Sequence, residues 1–326
     1  VLNETDALTK TLYTTNQEKA IQVALNMPTA PEDSFIRNLD TTDLLVFPGM
    51  SIQAAVDGAN AGDTILVAAG TYVENVDSGD RIINGLTVQG VPAANGDYPL
   101  VKGSMKFGIQ RAADYGSYEH KNLVLENFRI EANLTDTLAY GSYRHALMVS
   151  NFENALLRNL QLVGTEPGNM TAVTYGITVD VRAKDYTIDN VTIENFELGV
   201  YGRADNLTIQ NSEISHIQSG VNIMSGENLV ITDSSVVIEV TDKNRDFYVV
   251  RFAENGGPFF GAGLNISNST LEITNPNNYG PWEGKYMRSL VLRAQAGGEL
   301  DISNSNIPQG ILNNSTVAIE ATGNWW

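Results

Sequence analysis

Cysteine is absent from the 326 residues, which excludes a disulfide scaffold, a thiolate metal site and a cysteine nucleophile. Histidine is scarce, with three in the chain (His120, His145 and His216), and no Gly-X-Ser-X-Gly accompanies them, so a hydrolase triad has little support. No apolar run approaches the roughly 18 residues of a membrane helix, and no glycine-rich loop follows a strand and opens a helix as a phosphate cradle would. Basic residues are also few: 20 Lys and Arg against 38 Asp and Glu leave a formal charge of −18. A field of that sign argues against nucleic acid or an anionic membrane as partner.

What is present first shows its order in residues 51–76. Ile52, Ala55, Val56 and Ala59 share one helical face, a turn at 60–63 breaks the helix, and 64–68 reads as a short buried strand. Gly70 ends that strand and another begins at once. This order is similar to the N-terminal entry of right-handed parallel β-helix proteins of the pectate-lyase-like superfamily, in which an Ile-Gln, Gly-Asp, Gly-Thr-Tyr, Glu run caps the helix and lays the first coil. The resemblance implies an all-β solenoid with an N-terminal helical cap, and it implies no particular chemistry.

A recurring phrase supports the solenoid. It occurs at 122–130, 155–162, 186–193, 206–214, 228–236, 264–271 and 300–307, with apolar residues alternating on either side of a polar pivot: Asn127, Asn159, Asn190, Asn211, Asp233, Asn268 and Asn304. Such repetition is the mark of stacked units. Asparagine tolerates the left-handed bend between two strands, and its amide can bond the same amide one coil away. The pattern resembles the inward asparagine ladder of parallel β-helices. Sequons such as Asn133, Asn190 and Asn206 mostly coincide with the repeat and are read as incidental to it.

Pivots lie 21 and 22 residues apart in the middle of the chain and 31 to 36 elsewhere. The extra residues precede a second strand type, at 131–145, 164–175, 241–247 and 275–288, with one further insertion at 253–263. Insertions at one position in successive coils build a wall along one edge, and a wall beside a flat sheet makes a groove. Tyr140, Tyr143, Tyr175, Phe247, Tyr248, Phe259, Phe260, Tyr279, Trp282 and Tyr286 lie in or beside these segments. Alternation on the adjoining strands turns Thr178, Asp180, Tyr201, Arg203, Asn222, Met224 and Arg251 outward, and Arg182, Arg203, Arg251, Arg288 and Arg293 fall near the same seam. Arginine among aromatics suits planar carboxylates and sugar hydroxyls. Tyr201, Arg203, Tyr248, Arg251, Phe259, Tyr279, Trp282 and Tyr286 are therefore the expected ligand-binding residues.

A catalytic set is less evident. A lyase acting on uronates needs a base and a cation; Glu239, Asp242 and Asp246 could hold calcium, with Lys243, Arg245 or Arg251 taking the proton. The signatures of polygalacturonases, mannuronan epimerases and the largest group of pectate lyases are missing. Tyr143-Arg144-His145 is faintly similar to the Arg-His segment of alginate and chondroitin lyases.

The reading is an N-terminal helical segment and linker at 1–44, with two short helices in the first 30 residues, followed by a parallel β-helix with inserted loops at 45–326. The expected role is extracellular or cell-surface polysaccharide binding, within an adhesin or polysaccharide-processing protein whose other modules are partners in the same polypeptide. The alternatives are a calcium-assisted polysaccharide lyase and a structural spacer. Val1 and Trp326 read as cut ends, and Trp325 and Trp326 either cover the last coil or begin another module.

Overall fold

A computed structural model describes residues 11–14, 35–38, 41, 43–79, 81–108, 120–132, 143–164, 173–240, 247–252, 262–274, 287–292, 296–315 and 317–326. Successive turns of the chain pair in parallel, and each turn contributes in sequence to three sheets. Sheet one carries the first half of the repeated phrase. Sheet two carries the half after the pivot, and sheet three the second strand type.

Side-chain alternation explains why these segments stack. On sheet one Leu157, Ile188, Ile209, Ile231, Ile266 and Ile302 stand in register on successive coils and are fully buried. Ile130, Leu162, Ile193, Ile214, Val236 and Leu271 do the same on sheet two. Leu147, Ile177, Val200, Val221, Val250 and Leu290 complete the interior from sheet three. Burying each such side chain is worth about 2 kcal/mol, so these columns hold the coils together while the outer face stays free to vary.

All seven pivots adopt positive φ, between 50° and 63°. They form ladders in part: Asn190 donates to Asn159 and Asn159 to Asn127, both at 2.8 Å, and Asn127 ends the run on the Gly90 carbonyl. The expected inward ladder is corrected on two points. The pivots face outward, with Asn190, Asn211, Asp233, Asn268 and Asn304 exposed, and Asn211 leaves the line to bond Asp189 instead. The inward ladder belongs to the serine that follows the pivot. Ser212, Ser234, Ser269 and Ser305 are buried; each accepts a backbone N–H from the preceding coil and donates to the carbonyl two residues before it. A buried hydroxyl with both roles filled costs little.

The cap is helix α1 (Ile52–Gly58), whose Ile52, Ala55 and Val56 are buried. It sits between Asp43–Val46 and Thr64–Ala68, which pair in parallel. The expected helical segment before it is corrected where it can be seen: Thr11–Thr14 is a strand, parallel to Phe35–Asn38, which in turn runs antiparallel to Asp43–Val46. Pairing at the sheet's edge overrides the helical spacing of the leucines there. The rest of the two expected helices lies outside the described residues. At the other end Trp325 bridges Asn306 through its backbone, but Trp325 and Trp326 are 64% and 63% exposed, so they do not cover the last coil.

Candidate functional site on the outer face of sheet three

Four of the five insertions connect sheet two to sheet three, and the fifth connects sheet three to sheet one. Segments 133–142, 165–172, 241–246 and 275–286 each leave a strand of sheet two and return to a strand of sheet three, while 253–261 leaves sheet three for sheet one. The outer face of sheet three thus lies between the two edges at which the coils are enlarged.

On that face Thr178, Tyr201, Asn222 and Arg251 stand in register on four successive coils. Beside them the His145 ring stacks on Tyr175 at 5.2 Å and 18°, and Tyr175 meets Tyr201 at 4.8 Å. The strip continues through the Tyr201 hydroxyl to the Met224 sulfur at 3.3 Å. Three coils below Tyr175, the Arg251 guanidinium lies 5.0 Å from the Tyr248 ring centre, and its Nη1 donates to Tyr248 Oη at 2.8 Å. Rings therefore stand in contact on three successive coils, and after one coil whose sheet-three strand, Ser219–Ser225, holds none, the face resumes with Tyr248 and the guanidinium that it fixes.

Burial divides the strip. His145, Tyr175, Thr178 and Asn222 are buried, whereas Tyr201, Met224, Tyr248 and Arg251 are half-buried. His145 Nδ1 meets Thr178 Oγ1 at 2.5 Å, while its buried Nε2 and the buried Asn222 Oδ1 have no hydrogen-bond partner among the described residues. Burial, with the nearby Lys106 charge as the lesser cause, lowers the His145 pKa to about 4, so the ring is neutral at pH 7. A neutral imidazole with one nitrogen satisfied can give or take one further hydrogen bond.

Of the residues named from sequence, Tyr201, Tyr248 and Arg251 share this face. Arg203 is exposed; a register shift after Gly202 sets it opposite Ser225, one step off the Tyr201 column. Phe259, Tyr279, Trp282 and Tyr286 lie outside the described residues, as do Asp242, Lys243, Arg245 and Asp246. Glu239 ends a strand of sheet two, 3.7 Å from His216 Nε2. Among the described residues no group of three or more His, Asp or Glu side chains could hold a metal. Four of the aromatics expected in or beside the insertions, Tyr143, Tyr175, Phe247 and Tyr248, are strand residues: Tyr175 and Tyr248 belong to the strip, and Phe247 turns into the core. His145, noted in the sequence only for its similarity to a lyase Arg-His segment, is the member missing from the expected ligand-binding residues. Its signal was positional, since it occupies the place on its coil that Tyr175 occupies on the next.

No family model matches the sequence, and no curated protein matches it either. Solved structures do. Pectin methylesterase PemA from Erwinia chrysanthemi is 15% identical with a TM-score of 0.37, over 71% of this chain and 80% of that one. The Streptococcus pneumoniae surface protein and adhesin PfbA is 12% identical with a TM-score of 0.37, over 84% and 91%. An alginate lyase from a Paenibacillus species is 14% identical with a TM-score of 0.36, over 84% and 96%. At these values the likeness carries no conclusion about this chain; that it is a parallel β-helix solenoid follows from its own coil-to-coil strand pairing.

Proposed function

We propose that the protein is an extracellular or cell-surface module that binds an extended polysaccharide along the outer face of sheet three. The observation that carries this is the strip itself. His145, Tyr175 and Tyr201 place rings on three consecutive coils, and Tyr248 with Arg251 continues the face below them. Parallel strands repeat at about 4.8 Å, so the strip offers apolar ring faces and hydrogen-bonding tips along a line rather than in a pit. A linear ligand with alternating apolar and hydroxyl faces fits a line; a compact one does not. The half-buried members, Tyr201, Tyr248 and Arg251, are the ones that touch it, and the buried His145 and Thr178 hold the upper rings in place.

The test is an array of neutral and acidic polysaccharides, probed with and without calcium, comparing wild type with the triple variant Tyr201→Ala, Tyr248→Ala, Arg251→Ala. The expected result is retention of at least one polysaccharide by wild type and a loss of about tenfold or more in the variant. Equal retention by both proteins, or retention of nothing, would sink the reading. Ultraviolet absorbance of an unsaturated uronate product in the calcium arm would replace binding with cleavage.

A further inference from the structure

A cleft formed by described residues alone lies on a different face. The extra residues of one early coil, 92–99, leave sheet one after Thr87–Val91 and rejoin sheet two at Leu100–Lys102. Two backbone bonds close them into a tight turn, Ala93 N–H to the Asp97 carbonyl and Gly96 N–H to the Ala93 carbonyl, both 2.9 Å. Asn95 Nδ2 donates to Asp97 Oδ2 at 2.6 Å, and the Arg129 N–H ties the turn to the sheet through the Pro99 carbonyl at 3.0 Å. The turn stands beside the outward column Thr71, Leu100, Arg129 and Gln161. Between turn and column opens a half-enclosed cavity of about 500 Å³, lined by Thr71, Asn95, Asp97, Tyr98, Arg129 and Gln161 among others. Small-molecule sites commonly span roughly 300–1,000 Å³.

The lining selects a chemistry. Arg129 gives Nε and Nη2 to Glu131 Oε1 at 3.1 and 3.0 Å, which neutralises its charge and leaves Nη1 as a fixed donor. The Gln161 amide, which both donates and accepts, is exposed, and the Tyr98 ring is half-buried at the cavity wall. Hydroxyl groups also donate and accept, so they match this mixed set. An anion would instead face Asp97 and Glu131 within the field of a chain carrying −18, at a cost that paired Arg129 does not offset. Below the cleft the same column runs on as Thr192, Glu213 and Ser235, again polar and again without a free cation among them.

We infer that this cleft is a second binding site, for a neutral, hydroxyl-rich sugar unit, with Tyr98 offering a ring face and Gln161, Arg129 Nη1 and Asp97 reading hydroxyls. It is independent of the sheet-three strip. Two sites on two faces of one solenoid would let the protein hold two segments of a glycan network at once, raising avidity with no stronger single contact.

The experiment measures saturation-transfer NMR and titration calorimetry with cellohexaose, mannohexaose and maltohexaose. Proteins compared are wild type, Tyr98→Ala, Gln161→Ala and the sheet-three triple variant. At least one hexasaccharide should bind wild type and the triple variant alike, and Tyr98→Ala should weaken it about tenfold without lowering Tm. Gln161→Ala, at an exposed position, weakens the same sugar and serves as the readout should Tyr98→Ala disturb the turn. Absence of binding by all three sugars, or binding that neither cleft variant weakens, overturns the proposal. A failed sheet-three reading leaves this outcome untouched, because the triple variant does not alter the cleft.

Discussion

The carboxylate of Glu74 caps helix α1 from a later segment of the chain: it accepts the Ile52 N–H at 2.7 Å. The same group takes the Gln53 N–H at 3.1 Å and the Ser51 hydroxyl at 2.7 Å, while Ser51 Oγ accepts from Ala54. Three of the N–H groups that any short helix leaves without a partner are thus satisfied, two of them by a residue more than twenty positions away. The negative charge also sits at the positive end of the helix.

Glu74→Ala should therefore loosen the cap and lower stability by about 1–2 kcal/mol, read as a lower midpoint in urea. Glu74→Gln keeps one acceptor and should recover part of the loss. Equal midpoints for wild type and Glu74→Ala would mean that the helix is held by Ile52, Ala55 and Val56 alone.

The asparagine run gives a second prediction. Asn159 accepts from Asn190, donates to Asn127, and holds φ at 54°. Asn159→Ala loses both bonds and forces a Cβ-bearing residue without a local hydrogen bond into the left-handed region, so about 2 kcal/mol should go. Asn159→Gly loses the bonds but tolerates the backbone and should cost less. Should glycine prove as harmful as alanine, the side-chain bonds rather than the bend would be what the position supplies.

Serine in the inward ladder should behave differently. Ser269 Oγ accepts the Ser234 N–H at 3.2 Å in a fully buried setting. In Ser269→Ala that N–H has no acceptor and no water, a penalty of roughly 1–3 kcal/mol. The companion substitution at the exposed Asn268, whose side-chain amide donates to Asp233 at 3.2 Å, should cost less if changed to glycine. Thermal melts of the two variants side by side check the order.

The fold was legible because its signals repeat. Asn127 through Asn304 marked the corners between sheets one and two from residue 127 onward, and the Ile188, Ile209, Ile231 series marked the interior. The direction in which the pivots face was not legible: a left-handed residue reads the same in sequence whether its side chain points in or out, and only the burial of the following serine decides it. Tyr201 and Arg251 could be placed by alternation within their own strands. His145 could not, since its partners Tyr175 and Thr178 lie on the next coil, at a distance set by the length of an insertion. The sheet-two cleft escaped for a related reason. Residues 92–99 lie before the first copy of the repeated phrase, so no spacing between pivots reported them as an insertion.

His145 sets the last prediction, which concerns pH. In the unfolded chain its pKa is near the ordinary 6.5; in the fold burial holds it at about 4. Above pH 6.5 both states carry a neutral ring and the group adds no pH dependence. As pH falls from 6.5 toward 4 the unfolded chain gains a proton that the folded one refuses, so stability is lost across this window, by about 3 kcal/mol in all. Below pH 4 both states are protonated and the loss stops growing. His145→Gln can still meet Thr178 but does not titrate, so it should lack this component. The carboxylates contribute equally to both proteins, and the wild-type minus variant difference in unfolding free energy, measured from pH 7.5 to 4, isolates the histidine. A difference that stays flat across that range would show that the ring takes up a proton within the fold, with the Tyr175 stack opening to admit water.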